Sequence, residues 1–134
     1  MAKMVIFDSD ILIDYFLAIE QAKEFIYSFE KEERFVTSIS VMEVYRGARN
    51  KGELVAFKKF FVESFAGILH VDEEASKLSL KLVESYTLVS GLALPDAMIA
   101  ALVILRAANL FTGNLRHFGF IQGLKVSVPD YRRR

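Results

Sequence analysis

Between Thr87 and Leu115 the sequence carries only two charged residues, Asp96 and Arg106. The segment from Asp96 to about Ala107 is apolar on nearly every side of a helix, so it must lie centrally, between other elements. A membrane is the other medium that accepts such a segment, and Ser85 to Leu105 is the one stretch long enough to suggest it. Pro95-Asp96 stands at its middle, where an Asp costs about 2.5–3.5 kcal/mol on insertion. The segment therefore reads as core. With 134 residues, 53% of them apolar, the chain can bury roughly 65–70% of its unfolded surface. One domain spanning residues 1–134 is expected.

The elements around that helix alternate. Lys3 to Asp8 is a short β-branched and aromatic run ending at a carboxylate, as in a buried strand. Ile11, Leu12, Tyr15 and Phe16, then Ala22, Phe25, Ile26 and Phe29, recur at helical spacing. A strand over Arg34 to Ser38 follows. Ser40-Val-Met-Glu43 has a capping-box pattern, with Ser40 as the cap and Glu43 in the first turn. That helix should end near Gly47. The next carries the phenylalanine stripe Phe57, Phe60, Phe61 and Phe65, which suits core or a protein-binding face. Gly67 to Val71 reads as a strand, and Asp72-Glu73-Glu74 as the start of another helix. Pro95 suits a first helical turn. Leu110 to Thr112 and Val126 to Val128 are closing strands. Alternation of this kind specifies an α/β fold, a mostly parallel central sheet flanked by helices on both faces. Its working crevice lies beyond the carboxyl ends of the strands.

Composition excludes several chemistries. There is no cysteine, so thiolate zinc sites, iron–sulfur clusters, disulfides and cysteine nucleophiles are absent. Any metal must be held by oxygen or by His70 and His117, which are far apart in sequence and match no catalytic spacing. Seventeen basic residues against seventeen acidic ones leave no net charge, so nucleic acid could be bound only by a local patch. Tyr131-Arg-Arg-Arg134 and the cluster Arg46, Arg49, Lys51 are the available ones, though each reads equally as solvated charge. The N-terminus opens as a strand rather than a signal peptide, so a cytoplasmic protein is expected.

Carboxylates collect at the strand-to-helix junctions: Asp8 and Asp10 after the first strand, Glu43 after the second, and Asp96 before the apolar helix. Asn114 follows a later strand. Singly, each has an ordinary role. Asp10 could be a helix N-cap, Glu43 part of a capping box, Asp96 a favourable charge at a helix start, and Asn114 a turn residue. Together they repel one another unless a hard divalent cation neutralises them, and oxygen-only ligation suits Mg²⁺ or Mn²⁺.

Four segments in this order resemble the PIN-domain nucleases: Val5-Ile-Phe-Asp8-Ser-Asp-Ile-Leu-Ile-Asp14, Thr37-Ser-Ile-Ser-Val-Met-Glu43, Leu94-Pro-Asp96-Ala-Met-Ile-Ala-Ala101 and Phe111-Thr-Gly-Asn114-Leu-Arg-His-Phe118. The compact length resembles the VapC toxins of prokaryotic toxin–antitoxin pairs. That resemblance implies a PIN-like fold and a metal-dependent endoribonuclease. Asp8, Glu43 and Asp96 would be catalytic acids and metal ligands, Asn114 would stand at a fourth, more variable acidic position, and Ser9 or Thr112 would position water or phosphate. It further implies Mg²⁺ or Mn²⁺, an RNA substrate, a homodimer, and an antitoxin docking on the second and fourth helices and offering a basic side chain to the acids. Two other readings are open: a HAD-like phosphatase with Asp8 of Asp8-Ser-Asp10 as nucleophile, and an inert binding module that keeps the fold.

Overall fold

A computed structural model describes residues 3–133. Its five strands are β1 (Val5–Phe7), β2 (Arg34–Thr37), β3 (Gly67–Leu69), β4 (Asn109–Phe111) and β5 (Val126–Ser127). They form one sheet in the order β3-β2-β1-β4-β5, with every neighbouring pair parallel. The connecting helices are α1 (Ser9–Phe16), α2 (Glu20–Tyr27), α3 (Ser38–Arg46), α4 (Lys51–Ser64), α5 (Glu73–Ser90), α6 (Leu94–Leu105) and α7 (Leu115–Phe118). Single 3-10 turns stand at Lys31–Glu33 and Asp130–Arg132.

The strands are short and buried, and their side chains divide with period two between two cores. Val5 and Phe7 join Ile11, Leu12, Ile26, Phe60 and Phe65 on one face. Ile6 and Leu110 join Ile99, Leu102 and Phe118 on the other. The first core is aromatic: Phe7 has Phe25, Phe29, Phe65 and Phe111 around it at centroid distances up to 6.2 Å. Phe60, Phe61 and Phe65 are buried and Phe57 half-buried, so the phenylalanine stripe is mainly core. The second core is built on α6, where Ala97, Ile99, Ala100, Ala101, Leu102 and Val103 are buried between the sheet and α5. Its small residues permit that close approach. The apolar belt of α6 is not closed, because Leu94 is 62% exposed.

Helix starts differ from the expected ones. Asp8, not Asp10, caps α1. Thr37 caps α3 by accepting the Ser40 N–H at 3.2 Å, so Ser40 lies inside the helix, buried, and Glu43 completes no capping box. In both places the last residue leaving the strand still has extended backbone and reaches the orphan N–H groups first. α6 begins at Leu94, two residues before Asp96, with Pro95 in its first turn. The four-residue α7 is additional to the expected elements. No helix among the described residues is long and apolar enough to cross a membrane.

Leu102 is 1% exposed and Leu88 is 97% exposed. Leu102→Ala should therefore cost about 2–5 kcal/mol in urea unfolding, and Leu88→Ala less than about 0.5 kcal/mol. Similar losses at both positions would contradict a core built on α6.

Candidate functional site

The chain lays down β1, β2 and β3 outward in one direction, then crosses back to place β4 and β5 on the other side of β1. The reversal falls between β1 and β4, and crevices at such points are where open parallel sheets hold ligands. Asp8 ends β1 there, only 7% exposed. Its Oδ1 accepts the Ser9 N–H at 2.8 Å. Its Oδ2 accepts the hydroxyl of Thr112, which follows β4, also at 2.8 Å. Thr112 Oγ1 in turn accepts the Asn114 N–H at 3.0 Å. The Thr112 hydroxyl thus spends its single proton orienting Asp8, while Ser9 contributes its backbone.

Asp10 stands one helical step further on. Its Oδ2 accepts the Gly113 N–H at 2.7 Å and the Asn114 side-chain amide at 3.3 Å, while its Oδ1 is buried without any hydrogen-bond partner. Gly113 is required for this approach: an added Cβ would strike the Arg132 guanidinium and stand 2.6 Å from Asp10 Oδ2. Glu43 lies exposed on α3, and Asp96 lies in the first turn of α6.

These carboxylates feel one another. Burial, then the charge of Asp10 and to a smaller extent that of Glu43, push the Asp8 carboxyl up to about 6, against the hydrogen bonds from Thr112 and Ser9. Burial and the Glu43 charge raise Asp96, against His117. Burial raises Asp10 despite the Gly113 N–H and Arg132. Hydrogen bonds thus gather Asp8 and Asp10 with Thr112, Gly113 and Asn114 into one neighbourhood, to which Glu43 and Asp96 are linked by charge alone.

Other residues of this neighbourhood escaped the sequence reading. Arg132 lays its guanidinium on buried Asp14, Nε to Oδ2 at 2.8 Å and Nη2 to Oδ1 at 3.0 Å, and its Nη1 reaches Asp10 Oδ2 at 3.6 Å. The Tyr131 hydroxyl also donates to Asp14 Oδ2, at 2.7 Å. The C-terminal basic run is thus partly clasped rather than solvated. His117, given no role from sequence, sits with Nδ1 3.5 Å from Asp96 Oδ2. Only the apolar start of β1 and the carboxylate spacing were local signals; these pairings span most of the chain.

Among the described residues no group of three or more Asp, Glu or His side chains is close enough to hold a metal ion together. The donor chemistry nevertheless fits a hydrated hard cation. All acidic donors are oxygen, Asp10 Oδ1 is a buried acceptor left free, and Mg²⁺ is commonly held by one or two carboxylates with its remaining positions filled by water.

A raised carboxyl binds its proton more tightly in the folded than in the unfolded chain, so stability falls as pH rises from the ordinary 3.8 of Asp8 through about 6. Asp10 and Asp96 act in the same direction. Asp8→Asn should flatten this dependence in urea melts. An unchanged slope would remove Asp8 as its source.

The PIN domain family profile matches residues 5–119. A toxin–antitoxin complex from Klebsiella pneumoniae contains a chain 30% identical, with 93% of this chain and 97% of that one covered and a TM-score of 0.76. DNA-bound VapBC from Salmonella typhimurium is similar at 20% identity, 96% and 98% coverage and a TM-score of 0.80. FitAcB from Neisseria gonorrhoeae is similar at 23% identity, 92% and 96% coverage and a TM-score of 0.72. No curated protein gave a match. With the match running from β1 through α7, this chain belongs to the PIN-domain family.

Proposed function

We propose that this protein is a divalent-metal-dependent endoribonuclease, the toxin of a VapBC-type toxin–antitoxin pair. The observation that carries the reading is that buried Asp8, held by Thr112, and Asp10, held by Gly113 and Asn114, stand together at the sheet's reversal point. Two carboxylates thus bring negative charge to one crevice. Nothing in folding alone favours gathering it there. The Klebsiella toxin–antitoxin relative supports the toxin assignment.

Of Asp8, Glu43 and Asp96, one or two would hold Mg²⁺ or Mn²⁺ directly and the rest would face the ion's water shell. When bound, the ion offsets charge on the phosphate and lowers the pKa of attacking water. The chain's own residues do the positioning. Thr112 and the Ser9 N–H fix the Asp8 carboxylate, and the Gly113 N–H with the Asn114 amide fixes Asp10. Asp10, held in this way, adds its negative charge beside Asp8. No protein nucleophile is needed. Both Asp8 oxygens already accept hydrogen bonds, and the PIN family assignment leaves the phosphatase reading unsupported. With RNA as substrate, the protein works in the cytoplasm.

An antitoxin segment would occupy the apolar groove of Ile13, Phe16, Leu17, Val44, Ala56 and Phe57, which has Glu43 at its edge. This groove belongs to α1, α3 and α4 rather than α2, whose Phe25, like Phe29 just beyond its end, turns inward on Phe7. It fits an apolar segment with a basic side chain aimed at the acids. A second copy of the chain would cover the apolar strip of Leu80, Val83, Leu94 and Met98 on α5 and α6.

Asp8→Asn and Asp96→Asn should each abolish metal-dependent cleavage of a mixed RNA panel while remaining folded, and EDTA should silence the wild type. Full activity in both variants would end this reading. On co-expression with the antitoxin, the wild type should elute as an inactive assembly built on a toxin dimer. Leu17→Glu should instead release active toxin dimer; a monomeric toxin mass, or continued neutralisation of Leu17→Glu, would remove the corresponding contact.

A further inference from the structure

An RNA phosphate approaching these acids needs positive charge nearby, and several basic groups around the site are already paired. Arg132 is forked on Asp14, Arg133 pairs with Asp130, and Arg49 pairs with Glu53 at 2.6 Å. Buried Arg34 donates to the carbonyls of Ser64 and Phe29. Of the patches that sequence alone offers for phosphate contacts, Arg49, Arg132 and Arg133 are paired, while Arg46 and Lys51 make no ion pair among the described residues. Arg116, exposed on α7 and likewise without an ion pair among the described residues, is set apart by lining one hollow together with Asp96.

Its surroundings form a cleft. Arg116, His117, Phe120 and Asp96 line a hollow of about 370 Å³ together with the α5–α6 loop at Gly91 and Leu92. The orientation is built in. Phe118, fully buried, anchors α7 in the second core, which leaves Arg116 and His117 on the outside. Phe120 packs edge-on against Tyr86 at 5.3 Å, and the Tyr86 hydroxyl accepts the Gln122 N–H at 3.0 Å, pinning the loop that carries Phe120. The same hollow thus holds a free guanidinium, an aromatic ring held by its neighbours, and at one wall an acid of the candidate site with His117 paired to it.

We propose that this cleft is a nucleotide subsite for the RNA strand, with Arg116 binding a phosphate next to the one cleaved and Phe120 stacking its base. The subsite rests on the ribonuclease reading above. Stacking on one ring tolerates any base, so the cleft supplies affinity and strand position rather than a sequence code. It also gives a chain of zero net charge a local means of holding RNA.

The test uses full-length protein carrying Asp8→Asn, to suppress cleavage, and a short fluorescein-labelled single-stranded RNA of mixed sequence, with anisotropy read across a salt series. Adding Arg116→Gln should raise Kd several-fold and reduce the log–log salt slope by about 0.7, the loss of one single-strand phosphate contact. Arg116→Lys should restore the slope. Phe120→Leu, which keeps apolar volume without the ring, should raise Kd by about fivefold or more with the slope unchanged. Thermal melts confirm folding, and exposed Arg116 carries no core burden. If wild type cleaves RNA but these variants bind like their parent, the subsite is wrong and the nuclease reading stands. If wild type neither binds nor cleaves RNA, both fall.

Discussion

The hydrogen bond from the Thr112 hydroxyl to Asp8 joins the ends of β1 and β4 at the point where the sheet reverses direction, and the rest of the site is arranged around its consequence. A carboxylate fixed there, almost wholly buried, is held away from water and close to Asp10. Its desolvation disfavours charge, while its two hydrogen bonds favour it, and burial wins. The fold tolerates the imbalance because its stability comes from elsewhere, from the Phe7-centred aromatic core on one face and α6 on the other. Both cores are built from apolar side chains, without any contribution from the acids.

The neighbouring charges show how the remaining repulsion is contained. Arg132 joins Asp14 to Asp10 from one side, and His117 stands beside Asp96 on the other. Neither side chain neutralises the centre. Arg132 satisfies Asp14 first, with two short hydrogen bonds, and touches Asp10 only at 3.6 Å. The pocket therefore stays acidic inside a neutral chain, which is the condition for attracting a cation rather than merely storing a salt bridge.

The fold was largely legible because its determinants are local. Short apolar strands ending at polar residues, helical periods between them and an apolar α6 are patterns of neighbouring residues, and they specify a parallel α/β sheet with few alternatives. Helix starts were less legible. Asp8-Ser-Asp10 and Thr37-Ser-Ile-Ser40 each offer several side chains able to cap, and the choice rests on which backbone is still extended when the chain leaves its strand. α7 was not legible at all, since four residues cannot display a period. Asp8, Glu43 and Asp96 could be singled out because a carboxylate at a strand end or in an apolar region needs a reason. The Asp14–Arg132 and Asp96–His117 pairs could not. Their partners are separated by long stretches of chain, and only the closure of the sheet brings them together.

Asn114 illustrates how the same physics redistributes roles. From sequence it is the departure from a fully acidic set. In the structure its amide donates to Asp10 Oδ2 while its own N–H is held by Thr112. A carboxylate at this position would place a like charge against Asp10 and lose that donor, raising further a group that burial already raises. Asp10 consequently supplies the negative charge on this side of the crevice and Asn114 steadies it. The Gly113 N–H and the Asn114 amide both take Oδ2, so Oδ1 remains unpartnered. A neutral residue after β4 thus keeps one carboxylate oriented, where a fourth acid would have added repulsion against Asp10, which Arg132 reaches only at 3.6 Å.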